Sequence, residues 1–129
     1  MGETSATGPD AGAFVVRHQA DRVCVVEASG ELDLSVGREL HGIVERELSA
    51  GPHVLVFDLT HCSFLDSSAI APLAAAHRLA AANTPVTRIL LVGASCHHSV
   101  ERALELTGIS TVYPEYPTVS AALAAARAS

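Results

Sequence analysis

The sequence has no lysine and no tryptophan, and only 4% of its residues are aromatic. A core must therefore be assembled from Val, Leu, Ile and Ala, with few large rings to anchor it. All positive charge rests on eight arginines, set against 14 acidic side chains for a formal net charge of −6. That deficit argues against direct binding to nucleic acid, which needs a basic face to neutralise phosphates. It argues equally against docking on an anionic membrane surface. No apolar run approaches the roughly 18–20 residues of a membrane-spanning helix, so no membrane insertion is expected. Cysteine is scarce as well: Cys24, Cys62 and Cys96 are odd in number and lack paired spacing. They suit reduced thiols in a cytoplasmic protein better than a disulfide framework.

At 129 residues the chain is expected to fold as one domain with its own core. Residues 1–12 are small and polar, with Gly8-Pro9-Asp10, and read as a flexible tail. They lack the charged-then-apolar order of a signal peptide. Gly2 alone does not make a myristoylation site, because Ala6 stands where that pattern wants Ser or Thr.

Two β-rich runs, 14–18 and 23–28, flank Gln19-Ala20-Asp21-Arg22 and predict an antiparallel hairpin. Val36, Leu40, Ile43, Val44 and Leu48 recur at helical spacing over 35–49, with Gly51-Pro52 as the stop. Residues 53–59 and 86–92 are nearly continuous apolar runs, as expected of strands covered on both faces. Between them, an Ala-rich helix is expected over about 68–82, with Ile70, Leu73, Ala74, His77 and Ala81 sharing a face. Further helices are expected over 99–107 and from Pro117-Thr118 to about Ala126, with a short strand over 109–113 between them. The order β-β-α-β-α-β-α-β-α predicts a single α/β domain over 13–127. Its sheet is mixed and mainly parallel, opens with the antiparallel hairpin, and packs with about four helices.

The stretch Ser63-Phe64-Leu65-Asp66-Ser67-Ser68-Ala69-Ile70 joins the strand at 53–59 to the Ala-rich helix. Asp and Ser ahead of an apolar periodic segment are helix N-cap chemistry. Hydroxyls at the partly positive end of a helix also suit a phosphate. Capping and phosphorylation are compatible, and composition does not choose between them. Pro72 is awkward in a helix interior, where proline costs ~3 kcal/mol, so a late start or a local distortion is expected. Ser67 lacks the Gly-x-Ser-x-Gly context of a hydrolase nucleophile, and only His61 or His77 offers a base, by coincidence of folding.

Two other groupings carry chemical types. Cys96-His97-His98 supplies metal-binding side chains, but not the four spaced ligands of structural zinc, and reads as an exposed helix start. Asp33, Asp58 and Asp66 each follow or end a strand, where α/β folds place ligands and partners. Gathered at one edge they would bind Mg²⁺ or simply solvate a rim. No metal site, cofactor or catalytic residue is assigned.

Four stretches together resemble the STAS domain family of anti-sigma factor antagonists. They are Gly30-Glu31-Leu32-Asp33; Val56-Phe57-Asp58-Leu59 with Phe64-Leu65-Asp66-Ser67-Ser68-Ala69; Ile89-Leu90-Leu91-Val92-Gly93; and Val100 to Ile109 with its Leu106-Thr107-Gly108 ending. The resemblance spans about residues 14–126. It implies a non-enzymatic partner switch in which the serine after the aspartate, here Ser67, accepts phosphate. The unphosphorylated domain would bind an anti-sigma factor serine kinase and release the sigma factor, and a phosphatase would reset it. The expected partner surface takes in Asp33, Asp66, Ser68 and Ala69. Two positions depart from the family pattern: Ala69 replaces its glycine and Pro72 an aliphatic residue. A second reading has the chain docking, unphosphorylated, on the ATPase of an ABC-type lipid transporter, which those departures would suit. Homodimer formation and nucleotide binding are open from sequence.

Overall fold

The computed structural model describes residues 11–128, so all but Ala11 and Gly12 of the expected tail lies outside the described residues. Ala11 makes an isolated parallel bridge to Glu31. Strands β1 (Ala13–Gln19) and β2 (Val23–Leu32) form the expected antiparallel hairpin. Asp21 and Arg22 take positive φ at its tip. Strands β3 (Val54–Leu65), β4 (Arg88–Val92) and β5 (Glu115–Tyr116) follow in parallel, giving the sheet order β1-β2-β3-β4-β5.

Each parallel step moves one way across the sheet. Right-handed crossovers then put the connecting helices on one face. These are α1 (Leu34–Ser49), α2 (Ser67–Ala81), α3 (His98–Leu106) and the single turn α4 (Ile109–Val112). They bury Cys24, Val26, Leu55, Phe57, Leu59, Ile89 and Leu91 from the sheet. The alternate residues Val25, Val54, Val56, Leu90 and Val92 point the other way, where α5 (Val119–Ala128) covers them with Ala122 and Leu123. Double coverage is the reason β3 and β4 are apolar without alternation. Thr118 caps α5 through Oγ1, which accepts from Ala121 N at 3.0 Å. Among the described residues no helix is long and apolar enough to cross a membrane.

Three local expectations change. The strand expected at 109–113 is instead the turn α4, introduced by Gly108 at φ 81°. Ile109 and Tyr113 are buried while Thr111 between them is exposed, which a helical turn allows and a strand does not. The Tyr113 hydroxyl donates to Leu73 O at 2.6 Å and anchors that turn on α2. On α2 the buried face is Ala69, Pro72, Leu73, Ala76 and Ala80, so His77 lies exposed, its ring tilted against Tyr113. So many alanines leave the helix with no sharp apolar stripe for sequence reading to find. Finally, β3 continues through Asp58-Leu59 to Leu65, and Asp58 sits within the strand. Its Oδ1 accepts from Thr60 N (3.1 Å) and Thr60 Oγ1 (2.6 Å). Between Asp58 and Phe64, β3 carries two more residues than the paired stretch of β2, which makes two bulges.

Two predictions follow from this packing. A Cβ on Gly37 of α1 would lie 2.6 Å from Ser68 O and 2.8 Å from Ser68 Oγ, whereas one on Gly42 would meet nothing within 4 Å. Gly37→Ala should lower stability by about 1–2 kcal/mol, because overpacking outweighs the gain in helix propensity. Gly42→Ala should raise it by about 0.5–1 kcal/mol; urea unfolding midpoints of the two variants decide this.

Burial pushes the Tyr113 phenol from 10.0 up to about 12 and the Cys62 thiol from 9.0 up to about 11. Both groups bind their protons more tightly when folded. Their contribution is full below the unfolded values and is lost as pH rises through the folded ones. Stability should therefore decline from about pH 9 to pH 12. Urea titrations across that range should show a shallower decline in Tyr113→Phe.

Candidate functional site

Register builds the site. In the β2–β3 pair Leu32 stands opposite Leu65, so Asp33 and Asp66, the next residue of each strand, stand side by side. Asp66 N donates to Leu32 O at 3.1 Å and locks that alignment. Each aspartate then caps a helix. Asp33 Oδ1 accepts from Ser35 N (3.0 Å) and Ser35 Oγ (2.6 Å). Asp66 Oδ1 accepts from Ser68 N (2.9 Å) and, through a short bond, from Ser68 Oγ. Hydrogen bonds from the Ser35 hydroxyl and then its amide hold the Asp33 carboxyl below its ordinary value.

The two caps are chemical twins, Asp-x-Ser, and they differ in the middle residue. That residue is Leu34 in one and Ser67 in the other, each first in its helix. Leu34 is 79% exposed and Ser67 is also exposed. Unlike Ser35 and Ser68, Ser67 has no side-chain hydrogen bond among the described residues. Phe64, 42% exposed near the end of β3, adds an apolar surface beside the same edge. Between the first halves of α1 and α2 runs an open groove of about 680 Å³, lined among others by Leu34, Arg38, His41, Ala71 and Pro72. A second hollow of about 420 Å³ lies at the opposite end of the parallel strands, near Asp21, His53 and Arg88, and contains none of these groups.

Pro72 is accommodated inside α2 rather than ahead of it. Its missing N–H leaves Ser68 O without its usual helical donor. Gly37 of α1 is pressed against that same oxygen, so its Cα–H faces the carbonyl in place of a helical N–H. The close α1–α2 contact and the proline thus answer one another.

The anticipated residues separate on the structure. Asp33, Asp66, Ser67 and Ser68 share one edge. Ala69 does not reach the surface: it is 0% exposed and packs in the core beneath α2. The expected partner contact through Ala69 is therefore corrected to an internal packing role. Asp58 does not join the other aspartates, because about 20 Å of extended strand separates it from Asp66. No Asp33–Asp58–Asp66 centre for Mg²⁺ exists. His77 lies ten residues along α2 from Ser67, about 15 Å by helical rise, and His61 lies six residues back, about 16 Å along the strand once the bulge at 62–64 is allowed for. Neither can act as a base for the Ser67 hydroxyl.

Cys96 is exposed at the end of a 3₁₀ turn, and His97 starts α3 without a side-chain cap bond. Among the described residues, the group that does bring three metal-binding side chains together is His18, Cys24 and Glu47. Sequence reading missed it because these residues belong to three elements and share no spacing motif. Burial works to raise the Glu47 carboxyl, but hydrogen bonds from His18, Arg46 and Cys24 outweigh it and hold the group below its ordinary value. Burial and the Glu47 charge push the Cys24 thiol up to about 12.

A doubly covered mixed sheet with an exposed serine at a capped helix start defines the class of α/β domain to which this chain belongs. The sequence matches the STAS domain family over residues 15–122, and the chain belongs to that family. Among solved structures it is similar to an anti-sigma factor antagonist from Mycobacterium paratuberculosis. The two are 30% identical with a TM-score of 0.77, over 95% of this chain and 99% of that one. It shares its fold with SpoIIAA in its unphosphorylated form, at 19% identity and TM-score 0.76, over 91% of this chain and 98% of that one. It also shares the fold of phosphorylated SpoIIAA from Bacillus, at 18% identity and TM-score 0.67, over 86% and 96% of the two chains. No curated protein sequence matches the chain.

The capping geometry makes a direct prediction. Asp66→Ala should cost about 1–2 kcal/mol of stability, and Asp66→Asn much less, because asparagine still accepts from the helix N–H. Denaturant titration of the two variants against the wild type measures the difference.

Proposed function

We propose that this domain is an anti-sigma factor antagonist switched by phosphorylation of Ser67. Unphosphorylated, it binds an anti-sigma factor that is also a serine kinase and so releases the sigma factor to join RNA polymerase. Phosphate on Ser67 weakens that complex, and a phosphatase restores it. The observation that carries this reading is the state of the serines at the paired helix starts. The Ser35 and Ser68 hydroxyls are held by aspartates, whereas Ser67 is exposed and unbonded among the described residues. The similarity to the mycobacterial antagonist over nearly the whole of both chains supports the same assignment.

Physical chemistry explains why the switch acts on binding rather than on folding. Phosphate adds roughly −1.5 to −2 charges at the first position of α2. Free helix N–H groups and the positive end of the helix dipole offset that charge within the domain. At a docked interface the same dianion must be desolvated beside Asp33 and Asp66, and it opposes the apolar contact offered by Leu34 and Phe64. The surface we assign to the partner is thus Asp33, Leu34, Phe64, Asp66 and Ser67, with Ser68 bracing the helix start.

Incubation with the cognate kinase and ATP should place one phosphate on Ser67, read by mass spectrometry, and none on Ser67→Ala. Ser67→Asp should weaken kinase binding at least about tenfold, near 1.4 kcal/mol, while changing fold stability by less than about 1 kcal/mol. Phosphate retained in Ser67→Ala, or unchanged affinity in Ser67→Asp, contradicts the assignment. Capture of an ABC ATPase without any phosphorylation would place the domain with a transporter instead.

A further inference from the structure

We propose that His18, Cys24 and Glu47 form a binding site for a zinc-class divalent cation, completed by water, where β1, β2 and α1 meet. The site is separate from the paired helix starts, since Glu47 lies thirteen residues along α1 from Leu34, about 20 Å by helical rise.

The backbone prepares the geometry. His18 and Cys24 are direct partners in the antiparallel β1–β2 ladder, so their side chains leave the same face of the hairpin. Glu47, in the last turn of α1, points down onto that face and is only 7% exposed, an unusual place for a carboxylate. His18 Nε2 stands 2.6 Å from Glu47 Oε1, and Cys24 Sγ stands 3.5 Å from the same oxygen. One donor atom from each residue falls within 4.8 Å of the others. Tetrahedral coordination with bonds of about 2.0–2.3 Å requires ligand separations of about 3.3–3.8 Å. Opening the His18–Glu47 contact by less than about 1 Å, with the exposed His18 ring swung to bring Nε2 within about 3.8 Å of Cys24 Sγ, would reach that geometry.

The surroundings suit a metal as well. Arg46 Nε holds Glu47 Oε2 at 3.1 Å, which orients the carboxylate and leaves Oε1 as the donor. The His18 side chain is 67% exposed, so the site opens to solvent on one side for access and for a water ligand. One imidazole nitrogen, one thiolate and one carboxylate oxygen form a mixed borderline donor set, which favours Zn²⁺ over Mg²⁺ or Ca²⁺. On binding, the Cys24 S–H bond breaks and its proton leaves to solvent, the Nε2 proton that His18 directs at Glu47 is given up so that the neutral imidazole keeps its proton on Nδ1, and metal–sulfur and metal–nitrogen bonds form as the ion sheds water. Thiolate, carboxylate and Zn²⁺ then sum to zero charge, and no redox step is involved. The ion would tie the edge hairpin to the end of α1.

The test uses the full chain carrying Cys96→Ser, which removes the thiol of the exposed Cys96-His97-His98 group. Calorimetric titration with Zn²⁺ should give one ion per chain and a raised melting temperature. Co²⁺ substituted for Zn²⁺ should show a near-ultraviolet thiolate-to-cobalt charge-transfer band. Adding Cys24→Ser should abolish that band. Adding His18→Ala, its fold checked against the parent by circular dichroism, should weaken metal affinity at least tenfold and remove the thermal shift. The proposal is overturned if no stoichiometric ion binds, if the cobalt band survives loss of Cys24, or if His18→Ala binds as tightly as its parent.

Discussion

One hydrogen bond and the register it locks carry the rest of this structure: Asp66 N to Leu32 O, with Leu32 opposite Leu65. Because β2 and β3 are parallel and end level, the chain turns into a helix from both at the same edge. Two Asp-x-Ser caps come to lie together, and α1 and α2 start out in contact. A slip of one residue would turn every side chain of β3 to the other face, driving Phe57 toward the α5 side and Asp58 into the core beneath α1 and α2. Double coverage of the sheet makes that slip costly, so the core enforces the alignment on which the surface site depends.

The extra length of β3 is part of the same arrangement. β4 ends opposite Asp58, and beyond it β3 runs on beside β2 alone through two bulges to reach Leu65. The open side is covered by the segment after β4: Gly93 lies against Thr60, and the Ser99 hydroxyl donates to Ser63 O at 2.7 Å. At Gly93 a Cβ would lie within 2.6 Å of the Thr60 backbone, and its φ of 72° also favours glycine. The strand's last residues thus present Phe64 and Asp66 on a braced support rather than on a loose loop.

The molecule separates its polar tasks along the length of α1. At its start, Asp33 and Asp66 satisfy helix donors and leave Ser67 exposed. Near its other end, Glu47 gathers His18, Cys24 and Arg46 around a carboxylate that is nearly dry. A buried carboxylate without such partners would be strongly disfavoured.

Much of this was legible in the chain itself. The apolar spacing Val36, Leu40, Ile43, Val44 and Leu48 marked the buried face of α1, all of it buried in the structure. The uninterrupted runs of β3 and β4 announced a sheet covered on both sides, and Asp66-Ser67-Ser68 announced a cap. Sequence determines such features because they are local: backbone donors, turn residues and side-chain period act within a few positions. The tertiary structure decided what depends on contacts between distant segments. It turned the β-branched run at 109–113 into a helical turn because Tyr113 reaches Leu73. It rotated the alanine-rich α2 so that Ala69 faces the core, made Pro72 tolerable by bringing Gly37 to Ser68, and separated Asp58 from Asp33 and Asp66. It alone brought His18, Cys24 and Glu47 together, since strand pairing and helix docking, not spacing, set their distances.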